Sequence, residues 1–323
     1  MRKFLFLALF ASISLVSFSQ LKGLKNKVLG EKSPVADILK KPAPITTNFE
    51  DDVVMEGSLP ETFGNDQTYT PLYKMQKAEN GGYKLCPGYY EMTNMSYCLK
   101  AGTHGPSGGD GYMFAPTEGK MEDIVNAILV NHATQHPEIK QQDVQMLLWA
   151  IIARSRFKDL SGRIKIVSTQ LLTPQQIVKL NGGYVETIGG EALNKGIIDM
   201  PPAVRAVMEA ENNIRRLVEN GSDSYEDFEK FAILAGIAPN DHPNVKRGMW
   251  ALHPDGYYVR YFPSGYSRTK VQIYVPASKG QVIYNAIGTI ACPANTGAQR
   301  LAQTNWPIDN NDDVKFQDPC SSN

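Results

Sequence analysis

The chain is short of cysteine, carries no surplus of charge of either sign, and has a single long apolar run. Four cysteines in 323 residues are too few for a miniprotein held together by disulfides. The 33 basic side chains are matched by 33 acidic ones, so no nucleic-acid partner is expected, because phosphate recognition needs a clear basic excess. Past residue 20 no stretch approaches the run of about 18 apolar residues that a membrane helix requires. No integral membrane segment is therefore expected once the N-terminal leader is removed. What remains is an ordinary folded composition, 42% hydrophobic and 9% aromatic, with length for about two domains of roughly 150 residues each.

The one apolar run lies at the start. Arg2 and Lys3 precede Phe4–Phe18, a stretch without charge, and the small residues Ser17 and Ser19 stand just before Gln20. This pattern predicts a signal peptide over 1–19, too short for a comfortable bilayer span of about 20 residues. The Ser19-Gln20 junction resembles that of exported bacterial proteins. A periplasmic or secreted location follows as an expectation. In such an oxidising compartment Cys86, Cys98, Cys292 and Cys320 read as disulfide partners. Local pairing, Cys86 with Cys98 and Cys292 with Cys320, is the simplest of the three connectivities, each bridge contributing about 3 kcal/mol.

Periodicity divides the rest. Residues 20–76 lack a sustained pattern and read as an extended or partly disordered arm, with a short amphipathic helix over 21–29. Residues 77–116 suggest short strands leading into a glycine-rich loop. Residues 117–237 carry helical spacing: Met121–Asn131, an almost wholly apolar Asp143–Phe157, and segments ended by Gly182, Gly221 and Gly236. Residues 238–280 contain the runs Tyr257–Phe262 and Thr269–Val275, a hairpin signal, and 281–323 read as a loop-rich tail. The fold expected is α+β: a central five- to six-helix, bundle-like domain. An N-terminal short-strand and Gly-rich loop region and a C-terminal antiparallel hairpin or small sheet flank it.

Three groups of residues carry candidate chemistry. Cys98, His104 and Asp110 share one Gly-rich stretch and have the types needed for a thiol nucleophile, its base and an orienting carboxylate. In an exported chain a disulfide at Cys98 is the preferred reading. The same loop lacks the lysine and hydroxyl ending of a phosphate cradle. His132 and His136, four apart, are weak metal candidates. They lack the adjacent glutamate of a metallohydrolase, and Pro137 ends their helix. Glu122, Glu138, Glu209 and Glu211 are available as general acids, with nothing to mark a pair.

The aromatic cluster is the most informative. Trp250, Tyr258, Arg260, Phe262 and Tyr266 fall within one β segment, and alternation sends Tyr258, Arg260 and Phe262 to one face and Tyr257, Val259 and Tyr261 to the other. Aromatic and arginine side chains concentrate binding energy, so this face is the expected partner site. The expectation is an exported envelope binding or accessory protein without its own catalysis or cofactor, its partner an envelope protein or glycan. The alternative is an exported hydrolase of peptidoglycan, polysaccharide or peptide.

Overall fold

The computed structural model describes residues 43–182, 202–311 and 313–321. The expected leader and the 21–29 helix lie outside the described residues.

An eight-stranded sheet dominates the molecule, and its longest strand organises it. Strand β1 is Thr70–Pro71, β2 Tyr83–Leu85, β3 Gly88–Cys98, β4 Thr103–His104 and β5 Tyr112–Pro116. Later in the chain come β6 (Ile233–Leu234), β7 (Ala251–Leu252), β8 (Tyr258–Pro263), β9 (Arg268–Val275), β10 (Val282–Tyr284), β11 (Thr289–Pro293) and β12 (Leu301–Pro307). The sheet order is β5-β11-β12-β3-β9-β8-β7, antiparallel throughout, with β1 added parallel beside β3. Its two ends curl toward each other, Phe114 of β5 meeting the His253 ring just past β7 at 4.6 Å. The result is a nearly closed, barrel-like sheet. Two small ladders, β2 with β10 and β4 with β6, stand apart from it.

Alternation along the strands fills the inside. Tyr90, Ile273 and Val259 stand in register across β3, β9 and β8, as do Met92, Val271 and Tyr261, and all six are buried. Burying a large apolar side chain contributes about 1.5–3 kcal/mol, so these two rows alone specify register strongly. A slip by one residue would turn every one of them outward.

Among the described residues there are seven helices: α1 (Phe49–Asp52), α2 (Glu122–Thr134), α3 (Gln141–Ile152), α4 (Gly162–Leu171), α5 (Pro174–Gly182), α6 (Pro202–Glu219) and α7 (Tyr225–Ala232). They do not form a central bundle. Helix α3, buried continuously from Asp143 to Ile152, lies between β3 and the helices α4, α6 and α7. Helix α2 packs on β12 and meets the end of β3 where the Tyr97 hydroxyl bonds the His132 ring. Sheet and helices share one apolar core, so the expected self-standing helical domain gives way to a sheet-dominated α+β fold. The reason lies in what periodicity reports: it marks the apolar face of a helix without saying whether a helix or a sheet covers it.

The flanking segments change character too. The stretch read as a loop-rich tail supplies β10, β11 and β12, and the expected hairpin, β8 with β9, is two strands of the large sheet. Residues 43–76 run along the sheet with Ile45, Phe49, Leu72 and Met75 buried.

Candidate binding site

The aromatic cluster separates into parts with different fates. Trp250 is wholly buried, its indole N–H donating to the Phe63 carbonyl at 3.0 Å. Arg260, on the face expected to meet a partner, is buried as well. It donates to Gln272 Oε1 at 2.7 Å, to the Glu61 carbonyl at 3.0 Å, to Asn65 Oδ1 at 3.1 Å and to the Tyr69 hydroxyl at 2.9 Å. Alternation placed Tyr258, Arg260 and Phe262 correctly, but residues 59–69 of the same chain cover their face. Tyr258 stacks on Tyr274, which stacks on Tyr89, forming a ladder across three strands. These residues clamp the N-terminal segment to the sheet, whereas Tyr266 lines an open pocket.

The cysteine assignments are also corrected. Cys86 is bonded to Cys320, while Cys98 and Cys292 are free and buried. The local Cys86–Cys98 pairing fails because residues 88–98 form one continuous strand rather than short pieces. An 11-residue strand separates its ends by more than roughly 30 Å. Nor do the two free thiols pair with each other. Cys98 faces Leu301 on β12, and Leu301 faces Ala291 beside Cys292. A strand therefore lies between them, holding them about 10 Å apart, beyond the ~7 Å reach of a disulfide.

The proposed nucleophile constellation does not assemble. Burial pushes the Cys98 thiol up to about 11, and Gln145 bonds both its backbone N–H and its carbonyl. Asp110 is committed to its own loop, accepting from Ser107 N–H and Oγ at 2.7 Å and from Asn295 at 2.6 Å. His104 lies on β4 and is tied through its backbone to Gly297 and Gln299. Both ring nitrogens of His132 are engaged, with the Tyr97 hydroxyl and the Ile139 carbonyl at 2.8 Å, whereas His136 contacts Glu138. No cluster of three metal-ligating side chains occurs among the described residues. Of the four glutamates, Glu211 is buried in an ion pair with Arg154, and burial pushes its carboxyl up.

The open pocket, about 270 Å³, lies where α3, α7 and the β8–β9 turn meet. Helix α7 begins at Ser224, whose side chain accepts from the Asp227 N–H. It presents Tyr225 and Glu229, four residues apart, on one face. The facing wall is the four-residue turn between Pro263 and Arg268, in which Gly265 takes the left-handed conformation, φ 70°. Ser96 of β3 anchors this turn, its hydroxyl donating to the Tyr266 carbonyl at 3.0 Å and its N–H to the Ser267 carbonyl at 3.1 Å. Gln141 reinforces it, donating to the carbonyls of Ser96 and Ser267 at 3.0 and 2.9 Å. At the bottom the Tyr266 hydroxyl donates to Glu229 and also meets the Tyr225 hydroxyl. Behind them lies Trp149, with its ring centre 5.6 Å from Tyr225 and 5.9 Å from Tyr266.

Burial pushes the Tyr225 phenol up to about 12. It pushes Tyr266 further, helped by the bonds to Glu229 and Tyr225, so both phenols are neutral at physiological pH. The pocket thus offers two neutral phenols and a carboxylate on a rigid frame, an arrangement suited to holding a polar ligand. Tyr225 and Glu229 escaped the sequence reading. Their four-residue spacing was visible, but nothing local tied it to a turn 40 residues later.

A second recess, between Phe49, Cys292 and Arg300, is only about 30 Å³, room for little more than a water. The chain matches no protein-family model, no curated protein and no solved structure.

Proposed function

We propose that the chain is an exported binding or accessory protein of the bacterial envelope, without catalysis of its own, that engages its partner at the Tyr225–Tyr266–Glu229 pocket. The observation that carries this reading is the pocket itself: a volume of about 270 Å³ walled by aromatic and hydrogen-bonding side chains that three packed elements hold in place. The protonated, buried Cys98 thiol and the committed Asp110 carboxylate support binding over hydrolysis. The Cys86–Cys320 disulfide is in keeping with a periplasmic or secreted location. Among the described residues no helix is long and apolar enough to cross a membrane. An envelope protein or glycan is the partner class in view.

The test has two arms. The mature N-terminus, read by mass spectrometry of exported material, should begin at Gln20. Retention of the purified mature chain on isolated cell envelopes should fall about tenfold in the Tyr225→Ala/Tyr266→Ala double variant, the loss expected of an anchoring contact. Intracellular, unprocessed protein, or undiminished retention by a variant whose circular dichroism matches wild type, would overturn the proposal.

A further inference from the structure

The direction of the hydrogen bonds in the pocket states what kind of group it can receive. A phenol has one hydrogen. Tyr266 gives its hydrogen to Glu229, so the hydrogen between the two phenols must come from Tyr225. The chain therefore runs Tyr225 to Tyr266 to Glu229, and neither phenol retains a hydrogen for a ligand. Gln141 is in the same position: both hydrogens of its amide nitrogen point at backbone carbonyls, leaving its Oε1 as the atom it can offer. Gln145 uses its amide on both backbone groups of Cys98. Donor hydrogens remain on Gln142, exposed at the rim, on the Ser267 hydroxyl and on the second amide N–H of Gln145, while Glu229, the Tyr225 oxygen and Gln141 Oε1 remain as acceptors. Glu229 is the one ionisable acid or base besides the two neutral phenols among the lining residues.

A carboxylate with further acceptors beside it and no cationic side chain among the lining residues repels anions. It suits a group with several N–H donors and a positive charge, because hydrogen bonds between ionised partners are about twice as strong as neutral ones. We propose that the pocket receives a primary ammonium group, with Glu229 as its counter-ion and the Tyr225 oxygen and Gln141 Oε1 as further acceptors. The ligand is then an amine-bearing component of the envelope, such as the free amino group of a peptide or of an amino sugar. This assignment rests on the reading of the pocket as the binding site and narrows it.

The experiment uses the mature, oxidised chain and follows tryptophan fluorescence, since Trp149 lies directly behind Tyr225. The probes are n-butylammonium, its neutral counterpart 1-butanol, and glucose. Saturable change with n-butylammonium at millimolar concentration, and none with the other two, is the expected result. It should weaken about tenfold in Glu229→Gln, the effect of losing one hydrogen bond to a charge, and recover in part in Glu229→Asp. The comparison of n-butylammonium with 1-butanol on the wild-type chain needs no variant and guards against a substitution that unfolds the protein. Binding of 1-butanol or glucose as strong as that of the ammonium, or binding indifferent to Glu229→Gln in a folded variant, would refute the ammonium assignment. Failure of n-butylammonium alongside envelope retention that still depends on Tyr225 and Tyr266 would refute it too, leaving the binding reading intact. Loss of that dependence removes both.

Discussion

The guanidinium of Arg260 lies 4.2 Å from the centre of the Trp250 ring, and the two together lock residues 59–69 onto the outer face of the sheet. Trp250 reaches the Phe63 carbonyl while Arg260 reaches Glu61, Asn65 and Tyr69. Arg260 continues inward through Gln272 to Glu91, so one polar row crosses three strands.

Removing that guanidinium should cost stability rather than binding. Arg260→Ala leaves the buried Gln272 Oε1, the Glu61 carbonyl and the Tyr69 hydroxyl without their donor, and a loss of about 3 kcal/mol is expected. Arg260→Lys should recover only part, because a point charge cannot reproduce the fork. Urea denaturation measures both; a midpoint equal to wild type would show that the clamp is idle.

The glycines of the 102–111 loop should differ sharply in tolerance. Gly102 has φ 70°, and an added Cβ would stand 2.5 Å from the Ala206 carbonyl oxygen of α6. Gly102→Ala therefore combines backbone strain with a backbone clash, and a cost of about 2–4 kcal/mol is expected. Gly108 has open space and no left-handed φ, so Gly108→Ala should stay within about 0.5 kcal/mol of wild type. Thermal melts of the two variants side by side decide the matter.

Thiol chemistry checks the connectivity. In native protein Cys98 and Cys292 should resist alkylation, since burial removes access and raises them to about 11 and about 12, against about 8.5 for a free thiol. After unfolding without reductant two thiols should label, and a peptide containing Cys86 should remain joined to one containing Cys320. Replacing that pair by serine should cost about 2–5 kcal/mol, since it closes a loop of sequence separation 234. A peptide map linking Cys292 to Cys320 would contradict the structure.

Acid should weaken the protein partly through His132. Burial, the leading cause, depresses the affinity of its ring for a proton, so the folded state binds fewer protons than the unfolded one in this range. Stability from His132 is therefore complete above its unfolded value, about 6.5, and is lost as pH falls through the lower folded value. Each unit of depression corresponds to about 1.4 kcal/mol. The difference in unfolding free energy between wild type and His132→Asn, followed from pH 7 downward, should shrink. A difference independent of pH would exclude the linkage.

Local patterns in the sequence were informative wherever the physics was local. The face alternation of Tyr257–Phe262, the buried helix around Asp143 and the end of α6 before Gly221 all depend on neighbours within a few residues. The candidate pocket was half legible: Tyr266 stood out among its aromatic neighbours, whereas Tyr225, Glu229 and Gln141 looked like ordinary helix residues.

By itself the sequence determined which faces are apolar, roughly where helices lie, and that the chain carries an export-type leader pattern. Only the tertiary structure decided that β3 runs unbroken through Cys98, that β9 and β12 flank it, and that Cys86 finds Cys320 instead of a nearer partner. It also decided that Arg260 faces its own chain and that Tyr266 meets Glu229. Each of these is a pairing between distant segments, set by which buried surfaces fit together, and a side chain's local context carries no record of the surface that will cover it.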